Sequence, residues 1–192
     1  MRETEPQTRE EILAAFKSLR EDGLSFWAKM NPKKFAAPLG ESWSPADNVR
    51  HLIKSTVPVT RALKLPGFVL RALFGKAKEQ TLSYASLRAK YQGVLAGGGK
   101  AGRFAPKAVS TPEDEGAWQR ELIGQCRAAV ADLERAAQSW DERELDLYRL
   151  PHPLLGKLTL REMLFFTLYH YTHHKENVVR KLAGAENDDK AT

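Results

Sequence analysis

Apolar positions recur along this chain at steps of three and four, the period of one helix face, in four separate stretches. Ile12, Phe16, Leu19, Gly23 and Trp27 form the first stripe, and Val49, Leu52, Ile53, Thr56 and Val59 the second. Trp118, Leu122, Cys126, Ala129 and Leu133 form the third, and Leu160, Leu164, Thr167, Tyr171, Val178 and Leu182 the fourth. Each follows a start signal in which a Ser or Thr oxygen caps free amides and a carboxylate three residues on reaches back. The pairs are Thr8 with Glu11, Ser44 with Asp47, Thr111 with Asp114, and Thr159 with Glu162. Pro45 and Pro112 then stand at the first helical position, where a missing N–H costs nothing. Pro58 is expected to kink or end the second helix, and Gly184 to stop the fourth. No run alternates with period two over several strands, so a sheet has little support. The pattern predicts an all-α four-helix bundle.

Helices 2 and 3 are joined by a long crossover, one of the known wirings of such bundles. Leu65-Pro66-Gly67 breaks the chain, Phe68 to Phe74 and Leu82 to Leu95 read as helices, and Gly97-Gly98-Gly99 opens an irregular stretch to Pro106. At 192 residues and 21.6 kDa the chain suits one domain. We expect a flexible N-terminus over 1–7, a bundle over 8–184 containing the crossover at 64–107, and a flexible tail over 185–192.

Charge is unevenly spread. The net charge is +6, yet Arg61 to Lys107 alone carries ten basic residues against one acidic residue, Glu79. Such a surface can meet nucleic acid, anionic lipid or acidic ligands. Without a reading motif, charge gives only salt-sensitive, unspecific affinity, so no specific nucleic-acid partner is expected. Phe68, Leu70, Leu73 and Phe74, interleaved with cations, suit an interfacial helix on anionic lipid. The simpler expectation is that these four cap the bundle while the cations face water, because Pro66 and Gly67 cut the helix short. The single cysteine, Cys126, has no internal partner, the polar start Met1 to Gln7 holds no signal core, and no stretch approaches a membrane span. These features together suit a cytoplasmic protein.

The chemistry-bearing candidates are histidines. His170 and His174 stand four apart, one helical turn, at the edge of the fourth stripe, with His173 on the far side. His51, at the margin of the second stripe beside Asn48 and Ser55, offers a third nitrogen. Three neutral imidazoles leave a divalent ion with open positions, as in reactive sites. A histidine pair alone is more often hydrogen-bonded at a half-buried helix edge, and no His-Glu-x-x-His string or cysteine pair is present. His152, between Pro151 and Pro153, is expected to fix its loop by hydrogen bonds, and Asp47 to serve the helix cap rather than His51. Cys126 and Tyr171 read as core, and no catalytic side chain is assigned.

Trp43-Ser44-Pro45-Ala46-Asp47-Asn48-Val49-Arg50-His51-Leu52, then His152-Pro153-Leu154-Leu155-Gly156-Lys157-Leu158-Thr159, then His170-x-x-x-His174 together resemble the DinB/YfiT-like superfamily across most of the chain. The resemblance implies a four-helix bundle, often dimeric, with a divalent metal on His51, His170 and His174. Zinc leads the candidate ions, with nickel, iron and manganese behind it, since imidazole suits several metals. It also implies small-molecule chemistry, as transfer with a low-molecular-weight thiol such as mycothiol or bacillithiol, or as hydrolysis. Lys175-Glu176-Asn177 departs from the Arg and Gln that relatives tend to carry there and leaves the three histidines untouched. The alternative from another class is a non-catalytic bundle that binds a partner or an anionic membrane through its basic crossover.

Overall fold

The computed structural model describes residues 5–188, the side chains of 185–188 aside, so part of each expected tail lies outside the described residues. The first bundle helix begins at α1 (Arg9–Ser18), capped by Thr8 in a complete capping box with Glu11. It continues through a π turn, Leu19–Gly23, into α2 (Ser25–Ala28). A π turn adds one residue to the helical register. The expected stripe passes through Gly23, but the extra residue turns Leu24 into the core beside Phe16 and Trp27. Glycine suits the bend, because a Cβ at position 23 would stand 2.8 Å from Leu19 Cδ1.

A short α3 (Pro32–Ala36) leads to α4 (Pro45–Leu63), whose cap Ser44 accepts a hydrogen bond from the Asp47 amide and donates one to its carboxylate. Pro58 was expected to kink or end this helix; the helix instead runs through it to Leu63. Pro58 and Lys54, the residue whose carbonyl loses its partner, both lie on the exposed side, so the missing bond falls away from the core. Val49, Leu52 and Thr56 hold the opposite face in the core.

The crossover holds α5 (Gly67–Phe74), α6 (Tyr84–Ala96) and a 3-10 turn, Gly102–Phe104. It is fastened to the bundle where the Leu82 amide donates to Glu162 Oε1 at 2.9 Å. Gly67 permits close packing, since a Cβ there would meet the Tyr148 ring at 2.5 Å. The expectation that all four large apolar residues of α5 cap the bundle fails for two of them. Leu70 is buried and Phe74 packs against the core, while Phe68 is 74% and Leu73 59% exposed. Four residues at 100° spacing span more than half a turn, and one flat contact cannot cover them.

The third bundle helix, α7 (Glu115–Ala137), starts three residues later than expected. Asp114, not Thr111, is its cap, accepting from the Ala117 amide at 2.7 Å, so Pro112 lies outside the helix. A carboxylate caps as well as a hydroxyl, and the start signal therefore contained two competing caps. After α8 (Glu144–Leu147) comes a hairpin that sequence periodicity did not support: β1 (Arg149–His152) pairs antiparallel with β2 (Gly156–Thr159). Strands of four residues are too short for alternation to register.

The last helix, α9 (Leu160–Asp188), passes the expected stop at Gly184. Its start is the capping box read from sequence: Thr159 N donates to Glu162 Oε2 and Glu162 N to Thr159 Oγ1, at 2.8 and 3.1 Å. Helices α1 and α4 each pack against both α7 and α9, closing a ring of four around Phe16, Leu52, Val130, Leu133 and Leu164. Each such side chain contributes about 2–3 kcal/mol by leaving water. The same packing turns one side of α4 toward α9, and the site lies there.

Candidate metal centre

His51 comes from α4, and His170 and His174 from adjacent turns of α9. All three are buried, although the helical wheel placed them at stripe edges. Their ligating nitrogens lie within 4.8 Å of one another. His170 Nε2 stands 3.1 Å from His51 Nε2 and 3.0 Å from His174 Nε2. His173, as expected, is outside this cluster and its Nε2 accepts from Asn177.

Outer partners decide which nitrogen of each ring is free. His51 Nδ1 lies 2.9 Å from the Phe104 carbonyl, which can only accept, so Nδ1 carries the proton. His174 Nδ1 lies 2.6 Å from Asn48 Oδ1, and the orientation of that amide is set by Asn48 Nδ2 donating to the Ser44 carbonyl at 2.8 Å. His170 Nδ1 faces the Ser55 hydroxyl at 3.5 Å. Neutral His51 and His174 thus direct bare Nε2 lone pairs at His170 Nε2. One proton on His170 Nε2 can serve only one of these approaches, so at least one of the two lone pairs is left without a donor at about 3 Å unless a cation sits between the rings.

The donor set fits such a cation. Imidazole nitrogens at about 2.0–2.1 Å from one ion, with angles between square and tetrahedral, lie about 2.9–3.4 Å apart. Burial depresses all three pKa values, most for His170 and His174, where neighbouring histidines add to the effect; the Phe104 carbonyl partly opposes it at His51. The rings are therefore neutral at pH 7, the ligating form. Flanking aromatics hold them in place: Phe166 stacks on His170 with centroids 5.0 Å apart, and Trp43 lies parallel to His174.

One side of the triad opens into a cavity of about 340 Å³, lined by all three histidines. His152 and His173 also line it. His152 plays the structural part expected of it, since its Nδ1 accepts from the amides of Leu154 and Leu155 at 3.2 and 3.1 Å. Asp47 bonds Ser44 and Arg50 and does not touch His51. Cys126 and Tyr171 are core residues, as expected. Sequence reasoning missed Asn48, Trp43 and the Phe104 carbonyl. Asn48, one turn before His51 on the same helix, was the one detectable signal, because a backbone carbonyl from a distant turn leaves no mark in sequence.

The sequence profile of the DinB superfamily matches residues 7–178, nearly the whole chain. The chain belongs to the DinB superfamily. No curated protein matches it significantly. Among solved structures, this DinB chain is similar to TT2238, described as a four-helix bundle protein, at 20% identity and a TM-score of 0.54, over 90% of this chain and 99% of the other. At that identity the likeness bears on fold alone, and it agrees with the bundle described above. Within the superfamily match, the segments carrying His51, His170 and His174 are all included.

Proposed function

We propose that this DinB-superfamily chain holds one divalent metal ion, zinc first, on His51, His170 and His174. We propose further that it acts on a small molecule in the adjoining cavity, as a transferase using a low-molecular-weight thiol or as a hydrolase. The observation that carries the reading is the convergence of three Nε2 atoms, with the Nδ1 atoms of His51 and His174 taken up by the Phe104 carbonyl and Asn48 and that of His170 facing Ser55. A divalent ion on three neutral imidazoles supplies a Lewis acid that lowers the pKa of a water or thiol in its open positions. The chain's own residues fix the tautomers of His51 and His174, keep all three rings neutral through burial, and line the cavity with Trp43, Phe104 and Phe166, which limit water. His152 offers the cavity a hydrogen-bond donor rather than an acceptor, because two amides occupy its Nδ1 and leave the hydrogen on Nε2.

The test is elemental analysis of untagged protein purified without chelator. One divalent ion per chain in wild type and His173→Ala, with none in His51→Ala or His170→Ala, supports the reading. No ion in wild type after soaking with zinc, nickel, iron or manganese overturns it. Thiol consumption by the loaded protein with a small electrophile then separates transfer from hydrolysis.

A second reading is favoured by one observation on α5. Phe68 and Leu73 are exposed, Leu65 precedes them at 37% exposure, and the exposed cations Lys64, Arg71, Lys76 and Lys78 lie close to them along the chain. None of these four cations is ion-paired among the described residues. Large apolar side chains amid unpaired cations suit an anionic membrane surface. That contact is compatible with the metal centre, and no helix among the described residues is long and apolar enough to cross a membrane.

A further inference from the structure

The cavity beside the histidine triad has a one-signed rim. Its walls are chiefly apolar, with Trp43, Leu95, Phe104, Leu154, Met163 and Phe166 among them. Among the described residues no Asp or Glu lines it, and the only permanently charged side chains that do are Lys100 and Arg103. Both are exposed, and neither is ion-paired among the described residues. Lys100 precedes the 3-10 turn Gly102–Phe104 and Arg103 lies within it, and the turn is held against α4 by two carbonyls. The Phe104 carbonyl accepts from His51 Nδ1, and the Ala105 carbonyl accepts from Lys54 Nζ at 3.0 Å. The Arg103 guanidinium is further held over the Phe104 ring, 5.2 Å from its centroid.

We propose that this cavity takes an amphipathic carboxylate, its apolar body against the aromatic and aliphatic walls and its carboxylate on Lys100 and Arg103. The inference rests on the reading of this cavity as the substrate site, and it names the class of molecule that site accepts. Two cations without a carboxylate nearby favour an anionic ligand and repel a cationic one, and apolar walls penalise a polar body that finds no partners. A carboxylate offers about four acceptor positions, which a guanidinium fork and an ammonium satisfy. The volume, about 340 Å³, equals that of about eleven water molecules at roughly 30 Å³ each, room for a body of roughly ten carbon atoms. The crossover thus has a role distinct from membrane contact: its C-terminal part carries the head-group site, while α5 lies at its other end.

The experiment is calorimetric titration of decanoate, 1-decanol and decyltrimethylammonium into the full-length protein. Wild type, K100E/R103E and K100Q/R103Q are compared, each zinc-loaded and metal-free, with metal content measured on the same samples. Decanoate is expected to bind wild type at least tenfold more tightly than decanol, with no binding of the cationic amphiphile. Both double variants are expected to lose that preference at least tenfold while still binding decanol and retaining zinc, which shows the cavity and the triad intact. Equal affinity of wild type for decanoate and decanol overturns the proposal, as does the absence of binding by either. A decanoate preference that vanishes with zinc and survives in both double variants also overturns it, by placing the carboxylate on the ion. Absence of zinc alongside a preference that depends on Lys100 and Arg103 would sink the metal reading and leave this one standing.

Discussion

The Asn48 side-chain oxygen lies 2.6 Å from His174 Nδ1 and joins α4 to α9 through a ring whose other nitrogen meets His170. The same amide donates to the Ser44 carbonyl, so the helix cap and the histidine cluster share one residue. Mutation of outer partners of this kind costs roughly 10–100-fold in metal affinity. Asn48→Ala is expected to weaken zinc binding by that factor with all three histidines in place, and Asn48→Asp, which keeps the acceptor, to bind at least as tightly as wild type. Chelator competition measures both, and unchanged affinity in Asn48→Ala would remove Asn48 from the site.

His152 provides a pH prediction. Burial pushes its pKa down to about 4 from an ordinary 6.5. As pH falls, the unfolded chain takes up this proton first. Stability from His152 is therefore complete above about pH 6.5, declines from there to about 4, and levels off below. The whole step is on the order of 3 kcal/mol. His152→Asn places an oxygen near the former Nδ1, keeping an acceptor for the Leu154 and Leu155 amides while removing the titration. Urea unfolding of metal-free protein at pH 7 and 4.5 should show a smaller loss in His152→Asn; equal losses in the two proteins would sink the assignment. The triad histidines, also depressed by burial, add to the acid sensitivity of both.

Cys126 is fully buried, and burial pushes its thiol up to about 11. Ellman's reagent at pH 8 is expected to label the folded protein roughly two orders of magnitude more slowly than the urea-unfolded chain. Comparable rates would mean that α7 opens where Cys126 sits.

On α5, Phe68→Ser combined with Leu73→Ser removes two exposed apolar side chains that contribute nothing to the core. Co-sedimentation with vesicles of phosphatidylglycerol and phosphatidylcholine in equal parts is expected to fall at least ~10-fold, given about 1.5–3 kcal/mol per side chain withdrawn from water. Metal content and melting temperature should hold. Retention that survives the double substitution, or that is equal on vesicles of phosphatidylcholine alone, ends the membrane reading.

Local sequence determined much of this molecule, because helix starts and apolar stripes depend on residues within one or two turns of each other. Thr8 with Glu11 and Thr159 with Glu162 begin helices as their spacing requires. The stripe through Val49, Leu52 and Thr56 is buried as read, and His51 with His170 and His174 stood out as an ordered set. Where two local signals competed, the sequence was ambiguous: Asp114 displaced Thr111 as a cap, and a π turn exchanged Gly23 for Leu24 in the core. Tertiary structure alone decided the rest. Packing of α4 against α9 set His170 Nε2 about 3 Å from the Nε2 atoms of His51 and His174, and the fold of a crossover more than fifty residues along the chain delivered the Phe104 carbonyl to His51 and Lys100 with Arg103 to the cavity rim. Such contacts join segments whose spacing carries no periodic signal, so only the packed chain could bring them together.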